Sequence, residues 1–259
     1  MNINKVVFLL NELSPLNLAA DWDNVGLLVN SKNNIKINNI LLTIDLTEAV
    51  LKEAIKNKIN LIISYHPFLF NSFNKINCNN KKNAILIHLI KNNIAVYSPH
   101  TALDNVENGI NDWLAKSLNE DTIETVYTST INPLPCAKIV HLKKSITINL
   151  LSKKIKEYLN LKYLRIGSVN NKEIKSVAFC AGAGSDILKN INADCYVTGE
   201  MSHHNILSAN ANGIHVILSE HTHTERGFLK IYKKMISSKI DKNIKIKISK
   251  FDKDPIKLI

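Results

Sequence analysis

A chain of 259 residues with 45% hydrophobic residues has ample material for one large or two small α/β domains and is too apolar for wholesale disorder. No apolar run approaches the ~18 residues of a membrane-spanning helix, and Val6 to Leu10 is too short for a signal-peptide core. A soluble protein with no membrane partner is therefore expected, cytoplasmic by default, with nucleus and mitochondrion as alternatives. The net charge of +11 is almost wholly lysine, since only Arg165 and Arg226 are arginines. Readers of nucleic acid lean on arginine for bidentate contacts, so nucleic acid is not an expected partner.

Apolar periodicity predicts alternating helices and strands. Val6, Val7, Leu9, Leu10 and Leu13 form a helical stripe over 4–13. A strand at 40–44 precedes a helix at 47–57, and a buried strand at 60–64 follows. The asparagine-rich stretch 71–82 reads as a solvated loop. A helix over 82–92 leads to a strand at 94–97, and another helix covers 110–118. Beyond a break over 121–135, where Pro133 and Pro135 fall, a helix is expected over 145–159 and strands over 163–166 and 176–180. Helix 185–190, strand 194–197, helix 203–211, strand 214–218, helix 224–237 and strand 245–249 complete the pattern. This order predicts an α/β fold of two lobes, 1–125 and 126–259, with mainly parallel strands.

The four cysteines, Cys78, Cys136, Cys180 and Cys195, are scattered and suggest neither a disulfide framework nor a thiolate zinc site. Histidine is more informative. His66, His100 with Asp104, Glu200 with His203 and His204, and His221 with His223 and Glu225 each follow a predicted strand. In a parallel sheet those carboxyl ends share the edge where ligands bind. His88, His141 and His215 fall inside elements and read as structural. In SEHTHTERGFL, His221 and Glu225 are four residues apart at a predicted helix start, a spacing that puts both on one face. Imidazole with carboxylate suits zinc, manganese, iron or a similar divalent ion, and a carboxylate can bridge two. Metal-assisted hydrolysis is the reaction class these residues suggest. The turn AGAGSD (181–186) is at most a weak phosphate site.

Several strings resemble the GTP cyclohydrolase I type 2 family, also called the NGG-interacting-factor family. They are WDNVGLLV (22–29), ISYHPFLF (63–70), SPHTALDNVENGIND (98–112), AGAGSD, TGEMSHH (198–204), EHTHTERGFL (220–229) and DKDPI (252–256). TGEMSHH and EHTHTERGFL are similar to the eukaryotic branch. The resemblance implies two intertwined α/β lobes, a toroidal homohexamer and a dinuclear metal site at the lobe junction. In that pattern His66, Asp104 and Glu225 hold one divalent ion, and His221 and Glu225 hold the other. Tyr65 stands where many members have a further histidine ligand to the second ion, and the family's glycine–arginine segment is not recognisable near 133–138. The implied activity is hydrolysis of a nucleotide or related small molecule. His203 or His204 would move a proton, helped by Glu200. The alternative is a non-catalytic, metal-stabilised scaffold for protein partners linked to transcription, or a metal-storing protein.

Overall fold

The computed structural model describes residues 1–72, 74–127, 136–169 and 172–256, and for 119–127 the backbone alone. Of the break expected over 121–135, residues 128–135 with both prolines lie outside the described residues, whereas Thr122–Tyr127 form a strand. By contact the chain forms two compact units, Met1–Leu103 together with Leu229–Ile259, and Asp104–Phe228. The segment from Leu229 onward thus belongs with the first hundred residues, whereas a cut at 125/126 assigns it to the second lobe.

In the first unit, helix α1 (Ile3–Leu13) starts where the Asn2 side chain accepts from the Lys5 N–H. Its stripe buries Ile3, Val6 and Leu10 completely. Strands β1 (Gly26–Val29) and β2 (Asn39–Thr43) follow, then α2 (Glu48–Lys56), which Thr47 caps. Strand β3 (Leu61–Ser64), helix α3 (Lys81–Lys91) and strand β4 (Ala95–Ser98) come next. The division between the units falls inside α4 (His100–Asn105).

The second unit holds α5 (Ile110–Ala115), β5 (Thr122–Tyr127), β6 (Lys138–Ile146) and α6 (Ile148–Tyr158). It continues with β7 (Arg165–Gly167), β8 (Ile174–Cys180), α7 (Ser185–Leu188), β9 (Cys195–Thr198), α8 (His203–Ala211) and β10 (His215–Leu218). The chain then returns to the first unit through α9 (Leu229–Lys239) and β11 (Lys245–Ile248).

Each unit is built on one sheet. The first has the order β1-β4-β3-β2-β11, parallel except for β1; the second has β5-β6-β8-β9-β10-β7, parallel through β8, β9 and β10 and antiparallel towards both edges. The mixed α/β class expected from the sequence is thus observed. Strands β3, β4, β9 and β10 are buried at every position, as parallel strands covered on both faces must be. Side chains such as Leu41, Val50, Leu89 and Val96 pack the first core, and Ala178, Leu188, Val216 and Leu218 the second. Each large aliphatic side chain buried there contributes about 1.5–3 kcal/mol.

Several elements depart from the sequence expectation, which contained neither α4 nor the strands β5 and β6. Residues 145–146 end the strand β6 rather than opening a helix; Thr147 caps α6 and sets its start. The helix expected from 224 begins only at Leu229, because 3-10 turns occupy His221–Thr224 and Arg226–Phe228. Strand β1 was hidden by its glycine and by the short run that follows it.

The second unit also buries a charge pair. Lys138 Nζ lies 3.0 Å from Asp112 Oδ1, with both side chains nearly inaccessible. Removing one member of such a pair costs far more than replacing both. Asp112→Ala should lose about 3–5 kcal/mol of stability, and Asp112→Leu with Lys138→Met should be clearly milder. Equilibrium unfolding in urea reads both; equal losses would mean that the pair is not the source.

Candidate metal centre

In the first unit His66 stands just past the carboxyl end of β3. Its position is fixed by backbone bonds: Tyr65 N–H donates to Thr43 O (2.9 Å), His66 N–H to Ile44 O (3.1 Å), and Ser64 Oγ to His66 O (2.8 Å). From β4, Ser98 Oγ donates to Tyr65 O at 2.8 Å. Two strand-end serines therefore hold the Tyr65–His66 turn in place. The ring of His66 keeps its Nδ1 2.9 Å from Asp45 Oδ1. A carboxylate only accepts, so Nδ1 carries the proton and Nε2 of the neutral ring presents a lone pair. Tyr65 is 4% exposed, and its ring packs 5.0 Å from His66 and 5.4 Å from His100, centroid to centroid.

His100 follows β4 with φ +27°, a left-handed backbone that a non-glycine residue adopts only under constraint. The constraint is Asp23. Its oxygens lie 2.8 Å from His100 Nδ1 and also accept from the backbone and hydroxyl of Thr101. Burial raises the Asp23 pKa, but the His100 hydrogen bond and charge together with the Thr101 bonds outweigh it and hold the carboxyl below its usual range.

In the second unit the loops after β8, β9 and β10 interlock through glycine. Gly199 N–H and Glu200 N–H both donate to Gly182 O, at 2.9 and 3.0 Å. Gly182 N–H donates to Thr224 Oγ1 (2.9 Å), which donates to His221 O (2.7 Å). His221 then faces two carboxylates. Its Nδ1 is 2.9 Å from Glu200 Oε1, and its Nε2 is 3.0 Å from Oε1 of Glu225, which is 2% exposed. With Nδ1–H given to Glu200, the Nε2 lone pair and the Glu225 oxygen are two acceptors face to face. Only a proton or a metal cation reconciles them, so the donor set fits a divalent ion.

Space for that ion depends on Gly182. A Cβ there would come within 2.9 Å of Glu225 Oε1 and 3.0 Å of His221 Nε2, and φ is +66°. Asp104, 8% exposed, belongs to the same unit; with Glu225 it acts electrostatically on Cys180. Burial first, then the charges of Asp104, Cys136 and Glu225, push the Cys180 thiol well above its ordinary value.

His203 and His204 occupy the exposed first turn of α8, with ring centroids 5.5 Å apart. Ser202, not Glu200, caps that helix by accepting from Asn205 N–H. Glu200 is instead the carboxylate that orients His221. Sequence reasoning passed over Asp45 and Asp23, although each has a legible signal: Asp45 follows β2 by two residues, and Asp23 sits inside the WDNVG string.

The Duf34/NIF3 (NGG1p interacting factor 3) family model matches residues 1–255. The chain belongs to this family. NGG1-interacting factor 3 of Saccharomyces cerevisiae is 36% identical over 279 aligned positions, covering 98% of this chain and 96% of the yeast protein. NIF3-like protein 1 of Drosophila melanogaster is 37% identical, covering 97% of this chain and 87% of the fly protein. Among solved structures, reduced HcgD from Methanocaldococcus jannaschii superposes with a TM-score of 0.84 at 25% identity, covering 97% of this chain and 98% of that one. The Bacillus cereus protein related to NIF3 has the same fold, with a TM-score of 0.84 at 21% identity over 100% of this chain and 99% of that one. Among the described residues of this family member, no helix is long and apolar enough to cross a membrane.

Two predictions follow from the geometry. Gly182→Ala should lower the thermal midpoint, since strain at positive φ adds to the clash with His221 and Glu225; an unchanged midpoint would refute the close packing. Asp23, with its lowered pKa, contributes stability that is present above the unfolded-chain value of about 4 and is lost as pH falls through its folded value. Asp23→Asn should therefore flatten the fall in urea midpoint between about pH 5 and pH 2.

Proposed function

We propose that this family member is a metal-dependent hydrolase acting on a nucleotide or a related small molecule. The observation that carries the reading is His221, fixed through Nδ1 by Glu200 while Nε2 meets the buried Glu225 carboxylate. In this reading His66, His221 and Glu225 serve as ligands, three residues whose donor atoms could hold an ion; Asp104 is added from the family resemblance. His66, Asp104 and Glu225 would hold one divalent ion, zinc, manganese, iron or similar, and His221 and Glu225 would hold a second, with Tyr65 in place of a further histidine. Such ions would supply a water of lowered pKa, the nucleophile for hydrolysis at neutral pH.

The chain's own residues do the rest. Asp45 and Glu200 keep the Nδ1 protons of His66 and His221 in place, so that each Nε2 stays a lone-pair donor. His203 or His204, exposed on the first turn of α8, relays the proton to the leaving group. The GTP ring opening that the cyclohydrolase name implies is one reaction of this class. A toroidal homohexamer is the assembly proposed with it, and the cytoplasm the compartment.

A second reading rests on the printed name of the yeast relative, a factor that interacts with NGG1. Here the ions stabilise a scaffold for protein partners and no turnover occurs. Elemental analysis of the purified chain, followed by a nucleotide screen with and without added metal, separates the two. Glu200→Ala should weaken metal affinity about 10- to 100-fold, and His221→Ala should lose the ion altogether. Asp104→Ala that sheds metal and turnover but keeps its fold and partner binding supports the hydrolase. Loss of assembly in the same variant, with no turnover in the wild type, supports the scaffold.

A further inference from the structure

Most of the aromatic surface of the first unit is scattered, but two large rings are exposed side by side. Trp22 is 61% exposed and Phe70 48% exposed, with ring centroids 6.1 Å apart and planes at 65°. Leaving both in water costs hydrophobic burial that neighbouring positions achieve readily, so a contact made only part of the time is the economical explanation. The pair is also held firmly. Asn24 Nδ2 donates to Leu69 O and ties the Trp22 loop to the Phe70 loop, while Asp23, next to Trp22, is anchored on His100 and Thr101.

The wall behind these rings is the row of histidine and tyrosine described above. Trp22 meets His100 edge to face, with centroids 6.1 Å apart and planes at 76°. His100 in turn packs 5.4 Å from His66. All polar contacts of the His100 ring run through Nδ1 to Asp23; among the described residues no hydrogen-bond partner meets Nε2. An exposed aromatic pair, an imidazole packed against Trp22 and a candidate metal ligand packed against that imidazole form a row with a direction. Its outer end offers π faces, and the imidazole offers a polar contact.

We propose that Trp22 and Phe70 form a stacking platform for a nucleobase-like nitrogen heterocycle, with His100 Nε2 bonding to the ring edge. An aliphatic ligand would gain nothing from the aromatic pair beyond burial, and a second protein chain would not need the His100 nitrogen beside it. A planar heterocycle uses both, since every base has a π face and polar edge atoms. The inference rests on the hydrolase reading for its orientation towards His66, and it names the substrate feature that reading leaves open.

The test uses the full-length, metal-loaded chain and three probes: guanosine, GTP and ribose 5-phosphate. Calorimetric titration measures binding, and GTP consumption measures turnover. Wild type should bind guanosine and GTP more tightly than ribose 5-phosphate. Trp22→Leu and Phe70→Leu should each weaken guanosine and GTP about tenfold, leaving metal content and ribose 5-phosphate binding unchanged. His100→Phe, which keeps a ring but removes Nε2, should weaken guanosine while retaining some stacking.

Guanosine binding that is unchanged in Trp22→Leu overturns the platform even if GTP is hydrolysed, and the hydrolase reading then survives alone. Guanosine binding that depends on Trp22 without any turnover supports the platform and removes the hydrolase. Failure of wild type to bind guanosine overturns the platform. A change of sedimentation coefficient in Trp22→Leu, with base binding intact, also overturns it and makes the patch an interface between copies of this chain.

Discussion

Three histidines of this protein give the same ring nitrogen to a carboxylate: His66 to Asp45, His100 to Asp23 and His221 to Glu200. That one interaction decides what each ring can do. An unrestrained imidazole exchanges tautomers and rotates, whereas a neutral ring with its Nδ1 proton committed presents Nε2 as the acceptor. Everything chemical about the two units follows from it. The buried parallel strands hold their carboxyl ends still; the loops after β2 and β9 carry Asp45 and Glu200, and the segment before β1 carries Asp23; these carboxylates orient the rings.

The backbone serves the same end in different ways in the two units. The first uses hydroxyls, with Ser64 and Ser98 pinning the Tyr65–His66 turn. In the second, glycine does this work: Gly182 and Gly199 bring three strand ends so close that side chains would collide with one another or with His221. Serine locks a turn by adding a bond, and glycine by removing an obstacle. Strained residues mark both places, His100 in one unit and Glu220, at φ +66°, in the other.

Much of this was readable in the sequence. Apolar runs without alternation gave the buried parallel strands, since burial on both faces removes the period-2 signal but leaves length and β-branching. Residue type and position past a strand selected His66, Asp104, His221 and Glu225 before any geometry was available. The orienting carboxylates were harder to see, because an aspartate in a loop has many ordinary uses and Asp45 and Asp23 lie far in sequence from the rings they hold. The antiparallel edge was hidden for another reason: lysines and serines along β6 suit a strand with one wet face as well as a helix surface. The onset of α9 was displaced because 221–228 is spent on two tight turns that bring His221 to Glu225.

The chain's departure from the first unit at Asp104 and its return at Leu229 set an order of events during synthesis. All the strands of the second sheet are synthesised before β11 exists, so that sheet is complete in sequence first. The first sheet waits for β11. Strand β2 keeps a bare row of amides and carbonyls until Lys245–Ile248 arrive to pair with it. Such an edge is a template for wrong partners, and here it stays open for most of the time the nascent chain spends on the ribosome.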